Sequence, residues 1–97
     1  MQIIYDAGSC NQRRYGKAWI ARVTSWPIGK PAVIDFGANL SYDRAEIDAN
    51  PGDVVRYGRK DHRGSNTTAD YGIVQPDGSV TDCDAESAAR HFRSKES

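Results

Sequence analysis

Proline and glycine cut this chain into short pieces, and that punctuation constrains its fold more than any other feature. "PIGKP" at 27–31 carries a proline at each end, "PGD" interrupts at 51–53, and "PDGS" makes a compact turn signal at 76–79. Proline fixes φ and removes a backbone donor, so strand pairing stops there and the chain turns. Between the breaks lie "QIIYD" (2–6), "KAWIARVTSW" (17–26), "AVIDFGANL" (32–40), "DVVRY" (53–57), "YGIVQ" (71–75) and "SVTD" (79–82). Each has the length and composition of a strand.

The segment 17–26 has the clearest period of two. Ala18, Ile20, Arg22 and Thr24 fall on one face and Trp19, Ala21, Val23 and Ser25 on the other. The second set is the more apolar and is expected to point inward. Residues 32–40 then read as the return strand of a hairpin. The acidic stretch 41–53 shows no decisive pattern and reads as a helical turn or an excursion ending at Pro51-Gly52. Near the end, Thr81 followed by Asp84 resembles a capping-box start, and Ala85, Ala88, Ala89 and Phe92 recur at helical spacing. So polar a helix needs Phe92 docked on the sheet to hold it. The expectation is one domain over 1–97, mainly β (α+β): a small antiparallel sheet or SH3-like barrel of five to six short strands with one C-terminal helix. "PGDVVRYG" (51–58) resembles the glycine-led strand of SH3-like and KOW-type barrels, which implies closed edges and loops presented for binding.

At 97 residues and 38% hydrophobic content the chain has one modest core. Thirteen Lys and Arg balance thirteen Asp and Glu, so no net positive charge steers it toward phosphate. The charges are sorted along the chain. Arg13, Arg14, Lys17 and Arg22 occur without an acid between them, and Arg56, Arg59, Lys60 and Arg63 occur against Asp61 alone. Asp43, Glu46, Asp48 and Asp53 occur against Arg44 alone. Two cysteines, Cys10 and Cys83, are too few for a disulfide framework. The start lacks a signal-peptide pattern and no apolar run reaches membrane-span length, so a cytoplasmic, reducing setting is expected.

Catalytic and metal signatures do not hold up. "GSCNQRRYGKA" (8–18) is two failures from a phosphate-binding loop: seven residues separate Gly8 from Gly16, and Ala18 stands where a hydroxyl would bind magnesium. Cys10 and Cys83 have no local base, since His62 and His91 are distant in sequence. The acids at 43–53 lack EF-hand spacing, and isolated histidines and cysteines make no zinc set. No enzyme activity, metal or cofactor is therefore expected.

Binding remains, in two forms. In the first, the protein is a non-catalytic module whose partner is a host protein or nucleoprotein complex. Its acidic residues Asp43, Glu46, Asp48 and Asp53 engage a basic surface as nucleic acid would. In size and style the chain resembles small phage or mobile-element accessory proteins, anti-CRISPR inhibitors among them. That resemblance implies covering a nucleic-acid-binding surface of a host machine. In the second, two basic, tyrosine-flanked loops meet at one end of a small barrel. Arg13, Arg14, Lys17, Arg59, Lys60 and Arg63 then hold phosphates, and Tyr15 or Tyr57 stacks on bases of RNA or single-stranded DNA. The bland reading of "YGRKDHRGSNTTADYG" (57–72) is a solvated loop of about a dozen residues joining two strands.

Overall fold

The computed structural model describes residues 1–8, 17–41, 43–60 and 66–96. In order these form β1 (Gln2–Asp6), β2 (Lys17–Ser25), β3 (Val33–Phe36), β4 (Ala38–Asn39), β5 (Arg44–Asp48), β6 (Val54–Lys60), β7 (Asn66–Val74), β8 (Val80–Cys83) and α1 (Ala85–Glu96). The strands make two antiparallel sheets, one ordered β1-β5-β4 and one ordered β3-β2-β6-β7-β8. The protein is mainly β with one C-terminal helix, as its punctuation predicts. The described strands outnumber the expected five to six, and the two sheets stack in layers without closing into a barrel.

The five-stranded sheet is the middle layer. On one side Ala18, Ile20, Val55, Tyr57 and Val74 pack against Ile3, Ala45 and Ile47 of the three-stranded sheet. On the other, Val23 and Val54 receive Ala88 and Phe92 of α1. The expectation that β2 buries one face is thereby corrected. Its residues 18–21 are all buried, because the strand is covered from both sides. A middle layer must be apolar on both faces, and the small residues Ala18 and Ala21 permit that without overfilling either core.

The acidic stretch is a strand. In β5, Ala45 and Ile47 are buried, while Arg44, Glu46 and Asp48 face away from that core. Two small or medium apolar side chains at alternate positions suffice, because β1 and β4 flank β5 on either side. A corner joins the sheets. β3 pairs with β2, β4 pairs with β5, and Gly37 lies between them. Its N–H donates to the Ile20 carbonyl at 2.9 Å. A Cβ at Gly37 would run into the Glu46 carbonyl oxygen and sit 2.8 Å from the Ile47 Cβ, so only glycine lets the chain pass from one layer to the other.

The long loop expected after Tyr57 is mostly ladder. β6 continues to Lys60 and β7 begins at Asn66, with Gly58 opposite Ala69 and Arg59 opposite Thr68. The helix begins three residues later than a cap at Thr81 would place it. Thr81 belongs to β8, and the Asp84 carboxylate accepts the Ser87 N–H at 2.7 Å as the N-cap. Ala88, Ala89 and Phe92 are buried as the helical spacing predicts, whereas Ala85 is exposed. At the far end the Lys95 ammonium donates to Asp53 at 2.8 Å and His91 Nε2 lies 3.0 Å from the Gly52 carbonyl oxygen. These contacts hold α1 to the turn before β6.

Candidate functional site

Of the sheet faces, the one directed away from the core on the three-stranded sheet is left uncovered among the described residues. Period-two alternation puts Gln2, Ile4 and Asp6 of β1 on it, opposite Asp48, Glu46 and Arg44 of β5. Ala38 of β4 pairs with Glu46, and Leu40 follows two residues on, its N–H donating to the Arg44 carbonyl at 3.1 Å. Ile4 is 55% exposed and Leu40 51%, so the face carries two bare aliphatic side chains among carboxylates. Its charges are partly matched: Arg44 lies 3.4 Å from Asp6, and the amino group of Met1 lies 3.1 Å from Asp48. Both pairs are exposed and therefore weak.

Where β3 turns into β4, this face opens into a cleft of about 390 Å³. Arg22 and Asp35, opposite each other on β2 and β3, line it together with Phe36, Glu46 and Asp48. Phe36 is half exposed, and its ring leans on Trp19 with centroids 5.4 Å apart. Ile4 and Leu40 exposed among carboxylates have the composition of an interface, apolar side chains bordered by polar ones.

Only part of the predicted acidic set belongs here. Glu46 and Asp48 are on the open face. Asp43 turns to the buried Arg59, at 3.5 Å. Asp53 sits at the base of α1, accepting from Lys95 and from the Asn50 N–H at 2.8 Å. Burial alone would raise its pKa, but those two hydrogen bonds and the charges of Lys95 and Arg22 outweigh it and hold the carboxyl below its ordinary value. The four acids do not form one patch.

The basic set divides similarly. Arg59 is 7% exposed and its guanidinium donates to the carbonyls of Gly8 at 2.6 Å and Ala7 at 3.3 Å. Tyr57 is 7% exposed, with its ring 4.9 Å from that of Tyr5 inside the core. Neither side chain is presented to a ligand, so the expectation that they meet phosphate and bases is corrected: alternation on β6 turns both toward the three-stranded sheet. Lys17 opens β2 and pairs in register with Lys60, the last residue of β6. The segments carrying the other predicted contacts therefore attach at neighbouring points of one sheet end. Arg13, Arg14, Tyr15 and Arg63 themselves lie outside the described residues.

One aromatic cluster was not expected. The Trp26 and Tyr71 rings stack at 5.1 Å, and the Arg56 guanidinium lies 5.1 Å from the Tyr71 centroid. The open face was hard to foresee for a different reason: Ile4 and Leu40 read as core residues in any strand. The available signal was the alternation of Ala45 and Ile47 within an acidic run.

Chemistry is sparse. Burial first, then the carboxylates of Asp84 and Asp82, push the Cys83 thiol above its ordinary pKa, which disfavours the nucleophilic thiolate. Among the described residues no group of three or more His, Cys, Asp or Glu is placed to hold a metal ion. No described helix is long and apolar enough to cross a membrane. No protein-family model matches this chain, and neither a curated protein nor a solved structure matches it significantly.

Proposed function

We propose that the protein is a non-catalytic binding module that docks the open face of its three-stranded sheet on a basic, nucleic-acid-binding surface of another protein. The observation that carries this reading is the uncovered face itself: exposed Ile4 and Leu40 flanked by Asp6, Glu46 and Asp48. Aliphatic side chains left bare beside carboxylates gain by meeting a partner that is apolar at its centre and cationic around it. The acidic contribution comes from Glu46 and Asp48, not from Asp43 or Asp53, which are held within the fold. Action by occupying a nucleic-acid groove is the mode implied by the resemblance to phage and mobile-element inhibitors, and it defines the partner class to try first.

The test uses purified nucleic-acid-binding proteins with basic grooves, each measured free and filled with its oligonucleotide. Binding to the free form alone, weakened at least about tenfold by Glu46→Lys or Leu40→Glu, is the expected result. Equal binding to the filled form, or no response to these substitutions, refutes it.

A second reading draws on the register that pairs Lys17 with Lys60. That register brings two basic positions of the chain to one end of the sheet, an arrangement suited to phosphates. In this reading the protein binds RNA or single-stranded DNA through Lys17, Lys60, Arg13, Arg14 and Arg63, without Arg59 or Tyr57. Retention of an oligonucleotide that falls steeply between low and moderate salt would favour this reading. Absence of retention at low salt would remove it.

A further inference from the structure

The inner and outer strands of the three-stranded sheet differ in how their main-chain groups are satisfied. Met1 and Ala49 exchange both bonds, the Met1 amino group donating to the Ala49 carbonyl at 3.0 Å and the Ala49 N–H to the Met1 carbonyl at 2.9 Å. The Ala7 N–H donates to Asp43 at 2.8 Å. With Ile3 opposite Ile47 and Tyr5 opposite Ala45, the odd-numbered residues of β1 turn their N–H and C=O groups to β5. Gln2, Ile4 and Asp6 turn theirs the other way, and among the described residues β1 is the edge of its sheet.

Edges of this kind are usually blunted by proline, lysine, a bulge or shortness. The other edges among the described residues are: β4 has two residues, β8 has four with Asp82 among them, and β3 has four, enters from Pro31 and breaks at Gly37. β1 is the longest and, apart from the charge of Asp6 at its end, carries none of these devices over Gln-Ile-Ile-Tyr-Asp.

We infer that β1 pairs antiparallel with β1 of a second copy of this chain about a two-fold axis at Ile4. That register sets Ile4 against Ile4 of the second copy and Gln2 against Asp6 in both directions. The three residues whose main-chain groups point outward are then the three that must bond, and all of them find partners at once. The exposed Ile4 side chains meet across the axis, an amide faces a carboxylate at each flank, and no like charges oppose each other. The product is one continuous sheet, β4-β5-β1 followed by its two-fold copy, and the two open faces become a single surface of doubled width. An isologous contact of this type closes on itself and leaves no new edge at the join.

The experiment is the solution mass of the isolated protein by sedimentation, with any tag at the C-terminus, so it needs no docking partner and its failure leaves the docking reading untouched. A species of twice the 10.7 kDa chain mass is expected. Ile4→Lys sets two ammonium groups face to face and should weaken the dimer by about tenfold or more. Because Ile4 is 55% exposed, the variant's monomer should fold, which circular dichroism checks. Gln2→Asp, which opposes Asp6, should also weaken the dimer, and Gln2→Lys should tighten it. A monomer at every concentration up to about 1 mM overturns the inference, as a Kd above that range has no surplus over the cost of association. A dimer indifferent to both Ile4→Lys and the Gln2 charge overturns it as well, because association then uses another surface.

Discussion

Substitution of Arg59 by alanine should weaken the tie between the two sheets, because Arg59 belongs to one and its buried guanidinium bonds residues flanking the strands of the other. In sequence it belongs to a basic cluster and reads as a phosphate contact. In the structure it is a strut: a buried guanidinium on β6 that bonds the carbonyls of Ala7 and Gly8 just beyond β1 and lies beside Asp43 just before β5. It therefore ties the two sheets together at the end opposite the Gly37 corner. Replacing it with alanine leaves two carbonyl acceptors without that donor and takes the guanidinium away from Asp43. A hydrogen bond to a charged group is worth about 1.5–3 kcal/mol, and the Gly8 bond at 2.6 Å is the short one. The 3.3 Å bond and the 3.5 Å pair add less, and Asp43 keeps 24% exposure through which water can recover it. The expected cost is thus about 3 kcal/mol, below the 3–5 kcal/mol upper range for stranding a buried charge. In urea, with a slope of about 1.5 kcal/mol/M for a domain of this size, the midpoint should fall by about 2 M at unchanged slope. Lys30→Ala, at an exposed turn position, is the control and should move the midpoint little. A loss below about 1 kcal/mol for Arg59→Ala would refute the strut and return Arg59 to the list of available phosphate contacts.

Three further outcomes are expected. Phe92→Ala empties the buried contact between α1 and the five-stranded sheet and should cost about 3–5 kcal/mol, with helical ellipticity lost at a lower temperature than in the parent. Gly37→Ala drives a Cβ into the Glu46 carbonyl and should unpair β4 from β5, seen as selective loss of amide protection at Glu46 and at Leu40, whose N–H donates to the Arg44 carbonyl; retention of both protections would refute the corner. The lowered pKa of Asp53 makes part of the stability pH-dependent. A carboxyl depressed in the folded state contributes fully above its unfolded value near pH 4 and loses that contribution as pH falls through the folded value. Lys95→Met should therefore reduce the difference in stability between pH 6 and pH 3, and an unchanged difference would mean the pair does not act.

Local rules carried much of the fold. Proline and glycine marked the turns at 27–31, 51–53 and 76–79, β-branched and aromatic runs marked β1, β2, β6 and β8, and the spacing of Ala88, Ala89 and Phe92 marked the buried stripe of α1. Each of these depends on residues within a few positions of one another, and so it can be read without knowing the neighbours. β5 escaped because its inward side chains are only Ala45 and Ile47, and its polar residues match those of a loop. Assembly settled what remained. β2 buries both faces because a sheet lies on one side of it and a helix on the other, which no period within ten residues can encode. Tyr57 and Arg59 have the side chains of a binding loop, yet the ladder from β6 to β7 keeps them in a strand and its alternation aims them inward. The open face exists because nothing in the described chain lies over the three-stranded sheet. Which side chains meet water is a property of the layers, since exposure is decided by what lies above a surface and not by the residues that compose it.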